Sequence, residues 1–294
     1  MRAMILSAGL GTRLRPLTDE LPKPLMWLGD RPVLGHIGQR LREAGVEAAV
    51  LNTHHLPRAF GPAILAAVGL SVTVLEEPEI LGTAGGVKNA CAALGPGPVV
   101  VWNGDIVASI DVRAAVAAHG RGGALATMVV APRPRGQGTV GLGREGEVVR
   151  LRGERFGEEV SGGDFVGAQV IGEELRGRLP RSGCLVGDGY LPALRAGGRI
   201  GSALYAGVWD DIGSPAAYLA ANARWLREVA ARDHYEGPGA VVGAGIDVGG
   251  SVIGAGAVVE GEGALRECVV WPGARARAPL SRAIVTTEGR VVAV

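Results

Sequence analysis

The sequence predicts an α/β protein in which a mixed, mostly parallel sheet with helices on both faces is followed by a short parallel β-helix. Up to about residue 232, short apolar runs alternate with stretches of helical periodicity, which is typical of parallel strands joined by crossover helices. Beyond residue 239 a small apolar residue recurs every six positions, as in the stacked turns of a β-helix. An edge hairpin rich in glycine and valine is the alternative explanation of this last segment.

The elements follow in chain order. The first strand begins near Met4 and runs directly into a glycine-rich loop. Prolines at first helical turns, glycines after last turns and the apolar spacing place the helices, and buried apolar runs place the strands. Residues 132–159, rich in glycine and arginine, are expected to form a hairpin and a flexible loop over the site. Further strands are predicted at residues 48–52, 71–75, 98–102, 124–130, 146–151, 165–171 and 200–205, and helices at 32–44, 57–67, 111–119, 185–196 and 216–232.

Composition limits the classes of function. A formal net charge of +1 gives no general attraction to nucleic acid, so phosphate binding has to be local. No apolar run is long enough to span a membrane, and the N-terminus lacks the layout of a signal peptide, which predicts a cytoplasmic protein without a membrane partner. The three cysteines are far apart, which argues against disulfides and zinc. We expect a large N-terminal domain at residues 1–232, a linker at 233–239 and a repeat domain at 240–294.

The first glycine loop, residues 9–23, has the composition of a polyphosphate site. Gly9 and Gly11 allow the backbone to approach a ligand closely and to turn its N–H groups toward an anion. Arg13 and Arg15 supply planar donor forks suited to phosphate oxygens, and Lys23 is held between two prolines. A glycine-rich turn with solvated arginines is the alternative.

The second glycine loop, residues 81–90, opens a helix that ends near residue 94, and a helix N-terminus favours an anion. The chain has 28 arginines but only two lysines, Lys23 and Lys88, one in each loop. A lysine against such a background suggests a site that needs a compact point charge rather than a fork. We therefore predict a ligand contact for both lysines.

Three aspartates are candidates for a metal site. Asp105 follows the strand predicted at residues 98–102, and the carboxyl ends of strands in open α/β sheets are where ligands bind. Asp210 and Asp211 precede Ser214 and Pro215, which are typical of a helix start. Carboxylate oxygens suit Mg²⁺, so the sequence predicts a magnesium site, with a turn or capping aspartate as the alternative for each.

These motifs together resemble those of the sugar-1-phosphate nucleotidyltransferases, also called NDP-sugar pyrophosphorylases. Four blocks match in the family's order and cover residues 1 to about 232: GLGTRL at residues 9–14 with PKP at 22–24, LGTAGG at 81–86, NGD at 103–105 and WDDIGSP at 209–215. The resemblance implies a Rossmann-like sheet, and the trailing repeat is similar to the left-handed β-helix of many members. That β-helix would offer a surface for a homo-oligomer.

The resemblance implies that the phosphate of a sugar 1-phosphate attacks the α-phosphorus of a nucleoside triphosphate in line, with pyrophosphate leaving. The catalytic residues it implies are Arg13 for the leaving phosphates, Lys23 for the α-phosphate, and Asp105 and Asp211 as ligands of Mg²⁺. The nucleotide would lie against Ser7, Ala8, Gly9, Gly11, Thr12, Arg13, Gly85, Gly86, Asn103 and Gly104, and the sugar phosphate against Lys88, Arg152, Glu154, Phe165 and Gly167.

The substrates stay open, because the motifs resemble two branches of the family. Ser7-Ala8-Gly9 and the NGD block look like the N-acetylmuramate-1-phosphate uridylyltransferases, whereas LGTAG with a β-helix looks like the mannose-1-phosphate guanylyltransferases. The family's Glu-Lys-Pro is replaced by residues 151–155, and its Asn-Ala-Gly by Phe165-Val166-Gly167. A regulatory homologue that binds nucleotide sugar without catalysis is the alternative function. A dinucleotide-dependent dehydrogenase is disfavoured because the first loop lacks the third spaced glycine.

Overall fold

The computed structural model describes residues 1–294, and the chain forms two compact units. The N-terminal motif is divided between them, because its strand lies in the first unit whereas Gly11, Arg13 and Lys23 lie in the second. The sequence-based boundaries at residues 232 and 239 stay predictions. The first unit comprises Met1–Gly9 with His36–Trp209, and the second comprises Leu10–Gly35 with Asp210–Val294.

The elements are numbered in chain order. Strands β1–β23 are Arg2–Leu6, Trp27–Leu28, Arg31–Pro32, Ala48–Thr53, Ser71–Glu76, Val99–Asn103, Ile106–Ala108, Ala126–Arg133, Val140–Leu142, Val148–Leu151, Glu154–Arg155, Ser161–Ile171, Ile200–Leu204, Trp209–Asp211, Tyr235–Glu236, Val241–Val242, Ile246–Gly249, Val252–Ile253, Val258–Arg266, Val269–Val270, Arg275–Ser281, Ala283–Val285 and Val291–Ala293. Helices α1–α8 are Val33–Glu43, Pro62–Ala66, Gly82–Asn89, Cys91–Leu94, Val112–Gly122, Glu173–Arg178, Leu191–Arg195 and Pro215–Trp225. Single 3₁₀ turns occur at Thr12–Leu14, Leu17–Asp19, Lys23–Leu25 and Pro57–Ala59, and π-helical turns at Leu185–Tyr190 and Leu226–Ala230.

A ten-stranded mixed sheet forms the first unit, in the order β11-β10-β9-β12-β6-β1-β4-β5, with β8 pairing β12 and β13. Strands β6, β1, β4 and β5 are parallel, as the alternation of strands and helices predicts. Strand β12 pairs antiparallel with β6, β8 and β9. Leu6 is in register with both Asn52 and Asn103, so three carboxyl ends lie side by side. This edge is where polar side chains of the first unit gather.

Apolar residues on one face of this sheet form a core with the helices and turns that pack against it. Met4, Val101 and Ile171 on the strands are fully buried together with Val87 of α3 and Tyr190 at the end of the π-helical turn. Burial of such side chains contributes about 1.5–3 kcal/mol each relative to exposure, so this cluster fixes how the loops at the sheet edge leave their strands.

The second unit combines α8 with a ladder of short parallel strands. Tyr235 pairs with Val252, and Val252 with Val269, which is a repeat of seventeen residues per turn of the ladder. Ile253, Val259, Leu265 and Trp271, six residues apart, are almost completely buried. The predicted six-residue period is therefore present. In the predicted series, Val252, Val270 and Ala276 are buried, whereas Ile246, Val258 and Ala264 are half-buried, and a second, fully buried column lies one residue later. The ladder is compatible with a β-helix.

Several predicted elements differ in detail, among them the helix predicted at residues 185–196, which is a π-helical turn to Tyr190 and α7 from Leu191. The helix predicted at residues 57–67 is interrupted, because Gly61 is extended (φ −75°, ψ 168°) and separates a 3₁₀ turn from α2. Residues 132–159 hold β9–β11, and the loop before β9 is not loose. The guanidinium of Arg150 donates to the carbonyls of Gln137 and Gly138 at 2.9 and 3.1 Å, and the buried Glu159 pairs with Arg150 at 2.9 Å. The helix predicted at 216–232 ends at Trp225 and continues as a π-helical turn. None of the eight helices has the length and apolar character that crossing a membrane requires.

Candidate active site

The first glycine loop is a compact loop closed by its own hydrogen bonds. Gly11 has φ +64°, and the carbonyl of Gly11 accepts from the backbone N–H of Leu14 and from Oγ1 of Thr18, each at 2.9 Å. A Cβ at Gly11 would lie 2.7 Å from Cγ2 of Thr18 and 3.3 Å from Cγ of Lys23. Only glycine fits both this backbone conformation and this space. The sequence predicts that Gly11 lets the backbone approach a ligand closely, whereas the structure shows that Gly11 is needed for packing within the loop itself.

The two arginines of this loop have different surroundings. Both are exposed, but Nε of Arg15 pairs with Oδ1 of Asp19 at 3.3 Å. Nη2 of Arg13 instead lies 3.0 Å from the position that a Cβ of Gly213 would take, and Oδ1 of Asp211 lies 3.0 Å from the same point. The guanidinium of Arg13 and the carboxylate of Asp211 thus converge on Gly213. The structure brings these two predicted site residues together.

The adjacent acids Asp210 and Asp211 are distinguished by burial and partners. The side chain of Asp210 is 17% exposed, and its Oδ1 lies 3.1 Å from Nη2 of Arg224 on α8. Burial raises the pKa of Asp210 above its ordinary value, and the charge of Arg224 opposes that shift. Asp211 is exposed, and Ser214 caps α8 just beyond it by accepting from the N–H of Ala217 at 3.2 Å. Asp210 therefore has a structural ion pair, and Asp211 is the acid presented to solvent.

Asp105 lies in the tight turn between β6 and β7 and is half-buried. The N–H of Gly104 donates to the carbonyl of Leu6 at 2.9 Å, which ties this turn to the end of β1. Nδ2 of Asn103 lies 3.2 Å from the position of a Cβ at Gly167, where φ is +88°. The predicted residues Asn103, Gly104, Asp105 and Gly167 therefore belong to one region of the first unit.

A buried polar network at this sheet edge was missed from the sequence. Oδ1 of Asn52 accepts from the N–H of Ser7 at 2.9 Å, and its Nδ2 donates to Oε1 of Glu77 at 2.8 Å. Oε2 of Glu77 accepts from the N–H of Leu81 at 3.1 Å. Glu77 is 1% exposed, so these bonds hold a carboxylate inside the protein. The available signal was a polar residue at the end of β4 and another just after β5.

The second glycine loop is covered by protein rather than open. A Cβ at Gly85 would lie 2.5 Å from the carbonyl oxygen of Arg181, and one at Gly86 would lie 2.7 Å from Nδ2 of Asn52. The N–H of Ala84 donates to the carbonyl of Gly183 at 2.9 Å. Gly85 and Gly86 thus allow close packing of backbone and network, and their nucleotide contact stays a prediction.

Three of the predicted sugar-phosphate residues have protein partners. Nζ of Lys88 donates to the carbonyl of Gly177 near the end of α6 at 2.5 Å. Glu154 is bonded by Nε and Nη2 of Arg195 at 2.9 and 2.5 Å, which lowers the pKa of Glu154. Nη2 of Arg152 donates to Sγ of Cys184 at 3.0 Å. These side chains thus have protein partners, and the sugar-phosphate roles of Lys88, Arg152 and Glu154 stay predictions.

Phe165 begins the irregular part of β12. It is half-buried, and its N–H donates to Oγ1 of Thr139 at 2.8 Å. The register between β12 and β8 shifts between Phe165 and Gln169, and Gly167 lies inside this irregularity. A strand that bulges beside a turn aspartate can aim side chains at a ligand, which is compatible with the predicted sugar contact.

No group of three or more His, Cys, Asp and Glu side chains that could hold a metal ion occurs in the structure. The acids that the motifs nominate, Asp105 and Asp211, offer carboxylate oxygens, the donors that Mg²⁺ takes. Magnesium commonly keeps several waters and substrate phosphates as ligands, so one or two protein carboxylates fit it.

A parallel sheet with polar groups at its carboxyl edge, together with a cationic glycine loop, is typical of a nucleotide-binding α/β enzyme. Comparison with known proteins identifies the family. The nucleotidyl transferase family model matches residues 2–228, and the chain belongs to this family. By family it is a nucleotidyltransferase, a class in which a divalent metal ion is generally used.

Two relatives and one solved structure illustrate the similarity. A mannose-1-phosphate guanylyltransferase of Mycobacterium tuberculosis is 30% identical over 94% of this chain and 81% of its own length. An N-acetylmuramate alpha-1-phosphate uridylyltransferase of Caulobacter vibrioides is 34% identical over 76% of this chain and 96% of its own. HddC of Yersinia pseudotuberculosis, which has also been crystallised with GMP-PN, matches with a TM-score of 0.64 and 22% identity over 76% of this chain and 99% of its own. The last similarity shows the fold.

Proposed function

We propose that the protein transfers a nucleotidyl group from a nucleoside triphosphate to a sugar 1-phosphate, releasing pyrophosphate and an NDP-sugar. The family membership supports the reaction class, and the convergence of Arg13 and Asp211 on Gly213 is the single structural observation that carries the assignment of the site. A cation and an acid held together at a glycine match the needs of phosphoryl-type transfer, which asks mainly for positioning and neutralisation of charge.

The proposed roles follow the chemistry of each side chain. Arg13 binds the β- and γ-phosphates and stabilises the negative charge that develops on pyrophosphate as it leaves. Lys23 contacts the α-phosphate and the incoming phosphate as a point charge. The oxygen of the sugar phosphate is already an anion, so no side chain has to remove a proton from the nucleophile. The backbone at Gly9 is open for the nucleotide, since no atom beyond its neighbours in the chain lies within 4 Å of a Cβ built at Gly9.

We propose Asp105 and Asp211 as the protein ligands of Mg²⁺. The ion, when bound with the triphosphate, would supply charge neutralisation at the phosphates. Asp210 is not proposed as a ligand, because its carboxylate is committed to Arg224.

GTP and mannose 1-phosphate are the substrates that we propose first. The alignment with the M. tuberculosis guanylyltransferase spans 94% of this chain. The alignment with the C. vibrioides uridylyltransferase spans 76% of this chain, although it covers 96% of that relative. The C-terminal ladder therefore accompanies the guanylyltransferase-type relative. UTP with N-acetylmuramate 1-phosphate is the second candidate, because that relative has the higher identity, 34% against 30%.

We further propose that the C-terminal ladder is a left-handed β-helix and offers the surface for a homo-oligomer. The seventeen-residue spacing of its paired strands and its six-residue burial period support the β-helix. The cytoplasm, where nucleoside triphosphates are available, is the proposed location.

A pyrophosphate-release assay with Mg²⁺ across the common nucleoside triphosphates and a panel of sugar 1-phosphates tests the proposal. We expect turnover with GTP and mannose 1-phosphate above all other pairs. Preference for UTP with N-acetylmuramate 1-phosphate would select the second candidate. Binding of an NDP-sugar without turnover by any pair would replace the enzyme with the regulatory homologue.

A further inference from the structure

Glu20 lies between Arg13 and Lys23 in the sequence of the first glycine loop. Its side chain is 4% exposed, and its carboxylate is bound by residues near the C-terminus of the chain. Oε1 accepts from Oγ1 of Thr286 at 2.6 Å, and Oε2 accepts from the N–H of Glu288 at 3.2 Å. Nε of Arg290 lies 3.4 Å from Oε1. Thr286, Glu288 and Arg290 belong to the turn between β22 and β23, which we call the C-terminal turn, residues 286–290.

The C-terminal turn is itself well ordered by internal bonds. Thr286 is fully buried, its carbonyl accepts from the N–H of Gly289 at 2.9 Å, and its Oγ1 accepts from the N–H of Arg290 at 3.1 Å. The turn therefore presents a hydroxyl, an N–H and a guanidinium to Glu20 in a fixed arrangement. Contacts between such donors and a carboxylate are stronger than hydrogen bonds between neutral groups, so they hold the side chain of Glu20 firmly.

On its other side, Glu20 is connected to the backbone of the phosphate-binding glycine. Its N–H donates to the carbonyl of Leu17 at 3.2 Å, which closes the 3₁₀ turn that contains Thr18. Oγ1 of Thr18 donates to the carbonyl of Gly11 at 2.9 Å. Hydrogen bonds joined by short stretches of backbone thus connect the C-terminal turn through Glu20, Leu17 and Thr18 to Gly11, two residues before Arg13.

We propose that Glu20 is a positioning residue and that the C-terminal turn holds the first glycine loop in its catalytically competent shape. This inference rests on the proposed function. The loop contains only isolated 3₁₀ turns, so its order costs conformational entropy that local structure does not repay. Displacement of a phosphate-binding group by about 1 Å can cost on the order of 10²-fold in rate. The C-terminal region thereby contributes to catalysis within the same chain, in addition to any part in assembly.

The test compares Thr286→Val with Thr287→Val. The first substitution removes the hydroxyl that reaches Glu20, whereas Oγ1 of Thr287 donates to the carbonyl of Pro272 at 3.1 Å and not to the loop. We expect faster amide hydrogen exchange over residues 11–25 and a fall of about tenfold in kcat/KM for the nucleoside triphosphate in T286V only. Thr286→Ser, which restores a hydroxyl, should recover most of both.

A second pair of variants keeps the test decisive if T286V folds poorly. Glu20→Gln keeps one acceptor oxygen but loses the second acceptor and the charge facing Arg290, whereas Glu20→Ala loses all three contacts. We expect E20A to exceed E20Q in both exchange and loss of kcat/KM, with the KM for the sugar 1-phosphate less affected. Unchanged exchange over residues 11–25 in T286V and E20A would overturn the inference, as would faster exchange with unchanged kcat/KM.

The exchange measurement separates this inference from the proposed function. If no substrate pair turns over in the wild type but T286V loosens residues 11–25 while T287V does not, the proposed function fails and the contact between the C-terminal turn and the loop stands. If turnover is present and both threonine variants behave alike, the inference alone fails.

Discussion

The two glycine loops resemble each other in sequence but have different surroundings in the structure. Each combines two or three glycines with one of the chain's two lysines. In the first loop Gly9 faces open space, and Arg13 is exposed. In the second loop, backbone atoms of other segments and the side chain of Asn52 pack closely against the glycines, and Lys88 donates a hydrogen bond to a carbonyl of a helix. A glycine that admits another protein segment and a glycine that admits a ligand look alike until the neighbours are known.

The largest expected effect comes from the cation of the first loop. Arg13→Ala should lower kcat by about 10²-fold or more, because it removes the group that stabilises charge on the leaving pyrophosphate. Arg15→Ala is the matched control: its guanidinium is exposed and paired with Asp19, so its removal should cost little activity. Steady-state pyrophosphate release checks both, and equal losses would remove the distinction between the two arginines.

The adjacent acids give the next largest effect. Asp211→Asn should lower kcat at least tenfold and raise the Mg²⁺ concentration needed for half-maximal rate, because a neutral amide binds the ion less well. Asp210→Asn should instead lower the melting temperature, since it weakens a half-buried ion pair with Arg224. Mg²⁺ titrations and thermal melts of both variants make the comparison. If D210N alone changed the Mg²⁺ dependence, Asp210 would be the metal ligand and Asp211 the structural acid.

Substitutions of one glycine in each loop are expected to have the smallest effects, and each should change a different property of the protein. Gly9→Ala should leave the free energy of unfolding nearly unchanged, because its Cβ meets no atom within 4 Å, but should raise the KM for the nucleotide several-fold. Gly85→Ala should destabilise the fold by about 1–3 kcal/mol, because its Cβ would lie 2.5 Å from the carbonyl oxygen of Arg181. Denaturant unfolding with substrate kinetics tests each. A stable G85A variant with weakened nucleotide binding would restore the predicted nucleotide contact of Gly85.

Sequence patterns predicted those parts of the molecule that depend on neighbours in the chain. The apolar runs and their spacing located most strands, and the six-residue period located the C-terminal ladder, although the predicted series is only partly buried and a second buried column lies one residue later. The roles of Gly85 and Lys88 could not be read this way, since the backbone at Arg181 and the carbonyl of Gly177 approach them from about 90 residues away in sequence. Contacts between residues so far apart in the sequence leave no pattern in the neighbouring residues from which they could be predicted.

The same limit applies to the acids. Nothing in the Trp-Asp-Asp block distinguishes Asp210 from Asp211, and Arg224, which engages the first, lies on the helix that follows. Asn52 and Glu77 are unremarkable as single residues, and only the sheet register brings the end of β4 beside β1 and the end of β5 beside β4. The reaction class was readable because four motif blocks occur together, and family comparison confirmed it.

The Lys23→Ala and Lys88→Ala pair tests the central claim most directly, because both variants remove the same side chain from similar motifs. With GTP, mannose 1-phosphate and Mg²⁺, the difference between the two loops predicts a loss of about 10²-fold in kcat/KM for K23A. For K88A it predicts a lower melting temperature with kcat/KM within about threefold of the wild type. A raised KM for the sugar 1-phosphate in K88A, or turnover by K23A at the wild-type rate, would contradict it.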